Sequence, residues 1–428
     1  MKRKGFYLTT AILLFIAGLA GAIYFWGENQ FQLGEEAMRH YQFEEAIVYF
    51  KKAQRSPFTP ADIHRKLARA YRMNGQIPEA KEEIEKGKKV FGPADEKLQL
   101  ESILIRAIQG ELNDVLAGLW TCIHHNDPET VPIFDTMVDA YIQMKDFNHA
   151  FLVLETWKAR APNSPYYFFR EGVVFENMQQ SIQALNDFEE ALTLDPDFLP
   201  ARTEAIQIAF EQKKIETVKK LIPYLETNFA NRKETIFAQA KIYLMEGDEE
   251  KCRSKLKMLE NIDADYIPMI ILRGELEYSS SNFSEAIRWL TLSNEKIPGI
   301  IHTHYLLGLC YREIPGEEKK ADYHTNRYEE LKKLYYRIGD LVAHQLSRNP
   351  NNIELIEQAV TDYFAAEQYD DALAWGSRGL LLDPGNRTIR KAFANYYHQK
   401  NDPILEKYHI DQIDNKRSQK SIKDNLNK

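Results

Sequence analysis

Small residues and valine fall at Ala46, Ala80, Val115, Ala150, Ala184, Val218, Cys252 and Ala286, each 34 or 35 residues from the last. A period of that length means one supersecondary unit copied along the chain, and a helical hairpin is the unit that needs a small residue where two helices approach. Each copy buries its apolar face on its neighbours, so a chain of 428 residues need not divide into several domains. Prolines keep the same time. Pro57, Pro93, Pro128, Pro162, Pro196, Pro298, Pro350 and Pro384 are placed to end second helices, because proline cannot continue a helix and restrains the residue before it.

The N-terminus departs from this pattern. After Lys2, Arg3 and Lys4, residues 6–26 hold no charge and are mostly Leu, Ile, Ala, Phe and Gly. At ~1.5 Å per residue that run is long enough for a ~30 Å hydrocarbon core. It is read as a transmembrane signal-anchor, with Tyr24 and Trp26 at the far interface. The basic residues before it, and Glu28, Glu35 and Glu36 after it, predict a cytoplasmic N-terminus (1–5) and an exported body. The alternative is a signal peptide cut after Ala20-Gly21-Ala22, against which Ile23 to Trp26 continue the apolar run. Both readings export the repeats.

The repeats resemble the tetratricopeptide family on Gly34, Ala46, Phe50 and Ala53, then Leu67, Ala68, Tyr71, Gly75 and Ala80. Gly172, Ala184, Phe188, Ala191 and Pro196, then Gly274, Phe283, Ala286 and Pro298, repeat the pattern, and Leu307, Gly308 and Tyr311 begin it again. The expected fold is an all-α, right-handed α-solenoid of about ten helix-turn-helix repeats over 28–400, after one transmembrane helix. Repeat three lacks the glycine and tyrosine but keeps helical spacing at Leu98, Ile103, Leu104, Leu112, Val115 and Leu119. In repeat nine the next small residue is expected near Lys320, whereas the next terminal proline is Pro350. An insertion within about 314–331, between the two helices of that hairpin, is therefore expected, as a loop or a partner-binding feature. A helix from Thr388 to Lys400 closes the array, and 401–428 is read as a polar, basic, disordered tail.

Nothing in the sequence points to catalysis. No GxSxG, HExxH, CxxC pair or phosphate-binding glycine loop is present, and no cofactor or metal is expected. The cluster Cys122, His124, His125 and Asp127 does not place three ligands on one helix face, and His302 and His304 point ~200° apart. Cys122, Cys252 and Cys310 are widely separated at expected core positions, which suggests no disulfide. A net charge of −8 without a large basic block argues against nucleic-acid binding.

Resemblance to the tetratricopeptide family implies that first helices line an inner groove. The matching positions are Asp62, Arg65, Arg69 and Arg72 in repeat two, Asp135, Asp139 and Ile142 in repeat four, and Tyr166, Phe169, Val173 and Glu176 in repeat five. Repeats eight and nine add Ile271, Glu275 and Tyr278, then His302, Tyr305, Leu309 and Arg312. The candidate partner-binding residues are Arg65, Arg69, Arg72, Tyr166, Phe169, Tyr278, Tyr305 and Arg312. The arginine row is either a grip for an acidic segment or a solvated stripe; the aromatics either hold a peptide or pack helices together. Phe31 and Glu35 stand where relatives that bind C-terminal carboxylates carry a Lys/Asn clamp, so that mode is not expected. The expected role is a non-enzymatic scaffold on the bacterial inner membrane, with periplasmic repeats and protein or peptide partners, in envelope assembly, secretion or maturation. The alternatives are an organelle import receptor with cytosolic repeats and a regulatory subunit of an enzyme on another chain.

Overall fold

A computed structural model describes residues 2–60, 62–124 and 130–413, the backbone alone over 2–17 and at 124. The described residues form helices and no strand. In chain order these are α1 (Lys2–Arg39), α2 (Phe43–Gln54), α3 (Ile63–Met73), α4 (Ile77–Phe91), α5 (Glu96–Arg106), α6 (Leu112–His124) and α7 (Thr130–Gln143). There follow α8 (Phe147–Arg160), α9 (Pro165–Asn177), α10 (Ser181–Leu194), α11 (Leu199–Glu211), α12 (Ile215–Asn228), α13 (Lys233–Glu246) and α14 (Glu249–Ile262). The chain continues with α15 (Ile267–Ser279), α16 (Phe283–Lys296), α17 (Ile301–Arg312), α18 (Glu318–Asp340), α19 (Ile353–Ala365), α20 (Tyr369–Leu382) and α21 (Arg387–Gln399). A last helix, α22, covers 403–413. Odd-numbered helices open and even-numbered helices close successive hairpins, which makes an all-α helical-repeat solenoid of the tetratricopeptide-like kind.

The period of the sequence reappears in the backbone. Between the helices of each hairpin one residue turns left-handed: Tyr41, Gly75, Gly110, Lys145, Gln179, Lys213, Gly247, Ser281, Gly316, Glu367 and Asn401. Successive hinges are 34 or 35 residues apart, except for the 51 between Gly316 and Glu367. The next N–H then reaches back over the turn, as Gln42 N does to Ala37 O at 2.8 Å and Asp146 N to Tyr141 O at 2.8 Å, the closure typical of a helix that ends in this conformation. The small-residue positions are sealed: Ala46, Ala80, Ala150, Ala184, Val218, Cys252 and Ala286 expose no surface, and Val115 6%. Close packing explains the glycines too. A Cβ added at Gly34 would lie 2.5 Å from the Phe50 ring, and one at Gly274 would lie 2.6 Å from Leu290.

Contacts divide the chain into two compact units. One comprises Met1–Ala140, Leu152–Arg170 and Phe188–Arg202; the other comprises Tyr141–Phe151, Glu171–Asp187 and Thr203–Lys428. In the first, Ala46, Phe50, Leu67, Ala80 and Leu98 share a core built from α2 to α5. In the second, Ile236, Cys252, Leu256, Met269 and Leu276 pack α13 to α15 together.

Three expectations change. In repeat nine no insertion separates the helices: Ala321, 2% exposed, fills the small-residue position 35 residues after Ala286, and Gly316 is the hinge in its usual place. The additional residues lengthen the second helix instead. α18 runs 23 residues and continues through a π-type stretch, Leu341–Leu346. Glu, Lys, Leu and Arg favour helix there, no proline or glycine interrupts 317–338, and Ala321, His324, Leu331, Leu334 and Ile338 recur at helical spacing on its buried face. Second, the array continues past residue 400. Asn401 is a hinge, the Asp402 carboxylate accepts from Leu405 N at 3.0 Å, and α22 lays His409 against Phe393 at 5.1 Å. Residues 414–428 lie outside the described residues. Third, the run 6–26 is the front part of a 38-residue helix whose rear part opens the first hairpin. Among the described residues no helix is long and apolar enough to cross a membrane; the side chains of 2–17, most of that run, lie outside them.

Candidate functional site

Each unit holds a small cavity between neighbouring first helices. In the first unit it is formed by the end of α1, the hinge after it, α3, α7 and α9, with a volume of about 270 Å³. Met38, Phe43, Met73, Val131 and Pro132 supply its apolar wall, and Lys66, Arg69, Asp135 and Tyr166 its polar groups. Tyr41 links wall to support. Its φ of 57° is an unusual conformation for a bulky residue, and its surroundings hold it there. The ring stacks on Tyr166 at 5.5 Å and meets Phe198 edge-on at 5.4 Å, while the hydroxyl donates to Asp135 Oδ1 at 2.7 Å. Arg170 donates to both oxygens of Asp135, through Nη2 to Oδ2 at 3.0 Å. Asp135 is 2% exposed, so this carboxylate is spent inside the protein. Burial first, then the Asp135 charge, pushes the Tyr41 hydroxyl well above its ordinary range, and it stays a neutral donor.

The arginine row lies at the edge of this cavity, occupied by carboxylates of the chain itself. Arg65 bonds to Asp62 and Asp95, Arg69 Nε to Glu101 at 2.7 Å, and Arg72 Nε to the same carboxylate at 2.9 Å. Glu101 is 1% exposed. Burial would raise its pKa, but the charges of Arg72 and Arg69 outweigh it and hold the carboxyl below its usual range. Of the three arginines only Arg69 lines the cavity; Arg72 is 4% exposed and also donates to Thr136 at 2.9 Å. The row is thus paired within the chain, to Asp62 before α3, to Asp95 just before α5 and to Glu101 on α5.

The second unit has its cavity between α11, α13 and the start of α15, again about 270 Å³. Phe210, Phe237 and Tyr266 form its aromatic wall, Phe237 meeting Tyr266 edge-on at 5.8 Å. Lys241 Nζ lies 4.7 Å from the Phe210 ring centroid, a cation–π contact, and Glu211 and Glu234 complete the rim. Beside it Glu176, Glu204 and Glu211 crowd together. Burial and these like charges push Glu176 up to about 7, and burial with Glu211 raises Glu204. Burial, with Glu234 and Asp263, pushes the Tyr266 hydroxyl up to about 12.

Of the candidate residues, the structure brings Arg69 and Tyr166 to one cavity. Phe169 is 7% exposed and packs on Phe188 and Phe198. Tyr278 is half-buried beside Phe283, Tyr305 is 42% exposed beside Tyr328, and Arg312 donates to Thr325 at 2.9 Å. The wall of the second cavity falls outside the expected groove residues, although the repeat reaches it. One step of 34 from Phe169 is Thr203 and two are Phe237; one step from Glu176 is Phe210; two from Val173 are Lys241. Tyr41 carried no such signal, since it sits in a hinge and meets Asp135 across 94 residues of sequence.

His302, His304 and His324 are paired within the chain. His304 accepts at Nδ1 from His324 Nδ1–H (2.9 Å) and donates from Nε2 to Pro298 O (3.0 Å), and burial with the His304 contact takes His324 down to about 4. His302 pairs with Glu275. Among the described residues no group of three His, Cys, Asp or Glu is placed to hold a metal. His125 and Asp127 and the side chain of His124 lie outside the described residues. Cys252 and Cys310 are buried at the expected core positions, whereas Cys122 is only half-buried.

No known family model matches the chain, and no curated relative does. Solved structures similar to it match at low identity and with TM-scores below 0.5. The Cut9–Hcn1 hetero-tetramer of the APC/C is 13% identical over 86% of this chain and 75% of its own, with a TM-score of 0.44. Human IFIT1, solved as a dimer with m7Gppp-AAAA, is 16% identical over 75% of this chain and 90% of its own, with a TM-score of 0.43. PilF of Pseudomonas aeruginosa is 15% identical over 57% of this chain and 94% of its own, with a TM-score of 0.32.

Proposed function

We propose that this chain is a membrane-anchored helical-repeat adaptor whose first helices hold segments of partner proteins. The observation that carries this reading is the pair of aromatic-walled cavities between first helices, about 270 Å³ each. That is below the ~300–1,000 Å³ usual for small-molecule and cofactor sites and suits one or two large side chains of a docked segment. Aromatic walls with a charged rim are the composition of peptide-binding hot spots. The charge of residues 2–4 and the apolar run 6–26 support an anchor with the repeats on the exported side of a bacterial inner membrane. Envelope assembly, secretion or protein maturation are the settings in which such an adaptor works.

Photo-crosslinking tests this reading. A crosslinking residue at Tyr166 or Phe237 should trap a discrete partner that one at Leu152 or Ile182, exposed on second helices, does not. Equal trapping at all four positions would remove the first-helix cavities as the working surface. A phosphatase fused after Lys428 should be active only when exported; activity confined to the cytosol would favour an import receptor instead.

A further inference from the structure

The segment that joins α2 to α3 is a built corner with an aromatic side chain at its tip. Ser56 Oγ accepts from Phe58 N at 3.3 Å, and Thr59 Oγ1 donates to Ser56 O at 2.6 Å and to Gln54 O at 3.1 Å. Pro57 and Pro60 restrict the backbone on either side. The corner is fixed against α1 at one point: Ser56 is 4% exposed, and a Cβ at Gly27 would lie 2.6 Å from its Oγ. Only glycine at 27 lets the corner seat here. Phe58 nevertheless remains 46% exposed, its ring edge-on to Tyr24 at 6.1 Å.

The level of this contact on α1 is informative. Gly27 follows the last residue of the apolar run, and Leu19, Tyr24, Phe25 and Trp26 are 53%, 47%, 73% and 47% exposed. Phe58 therefore extends the aromatic collar of α1 sideways, at the height where that helix would leave the hydrocarbon. Arg55, just after α2, is exposed beside it, whereas the Lys51 and Lys52 ammonium groups lean back over the Tyr71 and Tyr49 rings at 5.3 and 5.4 Å. Aromatic rings together with a basic side chain match the headgroup layer of an anionic bilayer.

We propose that the corner at Pro57 and Phe58 is a membrane foot: Phe58 enters the interface of the bilayer that α1 anchors in, and Arg55 lies over anionic headgroups. α1 is one continuous helix from Lys2 to Arg39, so the foot adds a second point of contact and fixes the first hairpin upright on the membrane. The proposal rests on reading α1 as an anchor.

The test uses the full chain in phosphatidylcholine vesicles containing phosphatidylglycerol. An environment-sensitive fluorophore is attached at Phe58→Cys, in a Cys122→Ser background. The comparison position is Gln76→Cys, at the opposite end of α3, about 16 Å away for its 11 residues. Spin-labelled lipid with a shallow nitroxide should quench position 58 about threefold more than position 76. Gly27→Leu should abolish that difference while the chain still resists alkaline extraction. Equal quenching at 58 and 76 in chain that resists extraction overturns the foot and leaves the anchor standing. Shielding of 58 from aqueous iodide without lipid quenching means that a protein covers the corner, which also overturns it. Chain extracted by alkali removes the anchor, and the foot with it.

Discussion

Replacing Glu101 by Gln should destabilise the first unit far more than loss of a surface charge would. The carboxylate is 1% exposed and receives Arg69 Nε at 2.7 Å and Arg72 Nε at 2.9 Å. Glutamine keeps the shape and removes the charge. Arg72 then stays buried, its Nη2 already without a bonded partner and only Thr136 as a strong acceptor. Breaking one side of a buried ion pair costs ~3–5 kcal/mol, whereas an exposed pair is worth ~0–1 kcal/mol. At ~2–4 °C per kcal/mol for a body of this size, the midpoint should fall by at least about 6 °C. Urea titration read at unit-specific probes, with Lys88→Gln (from the exposed Lys88–Glu85 pair) as reference, makes the comparison. Arg72→Met with Glu101→Leu should recover most of the loss, since an apolar pair of similar volume needs no counter-ion. A loss under about 1 kcal/mol for Glu101→Gln would refute the assignment of the arginine row to internal pairing.

Other expectations follow from the same geometry. Glu176, raised to about 7 by burial and its acidic neighbours, lies above its unfolded value of ~4.3, so it opposes folding increasingly as pH rises from ~4.3 to about 7 and steadily above that. Glu176→Gln should therefore raise the thermal midpoint at pH 8 and lose that advantage near pH 4.5. His324, taken down to about 4, contributes stability that is whole above ~6.5 and is lost as pH falls through 4. His324→Phe should flatten that part of a melting-temperature profile. Lys213 is a hinge at φ 55°, and Lys213→Gly should stabilise by about 0.5–1 kcal/mol in denaturant titration, as glycine does at such caps. Gly34→Val should cost about 1–3 kcal/mol or more, because the Phe50 ring blocks its side chain.

Much of the architecture was legible because packing imposes a small residue once per hairpin, and a long array repeats that constraint until its period is plain. The left-handed hinges follow the same period, yet only four of the eleven are glycine, so composition alone does not reveal them. Repeat nine misleads because Ala321 is in register while the helical stretch after it runs on to Arg348, so length alone points to an insertion between the helices instead of an extension of the second. The groove was harder. Steps of 34 reach Phe210, Phe237 and Lys241, which the groove positions named from the sequence do not include, and register cannot tell that Arg69 and Arg72 meet Glu101, since the counter-ion comes from the next helix pair. Tyr41 was invisible for a different reason: its role rests on Asp135 and Tyr166, which only the folded chain brings near.

Hydrogen exchange of the full chain with and without the trapped partner tests the central claim most directly. Protection should appear in first helices, α3, α7 and α9 around Tyr166 and α11 and α13 around Phe237, with α4, α8 and α12 unchanged. Protection confined to the second helices would contradict the assignment of the first-helix cavities as the binding surface.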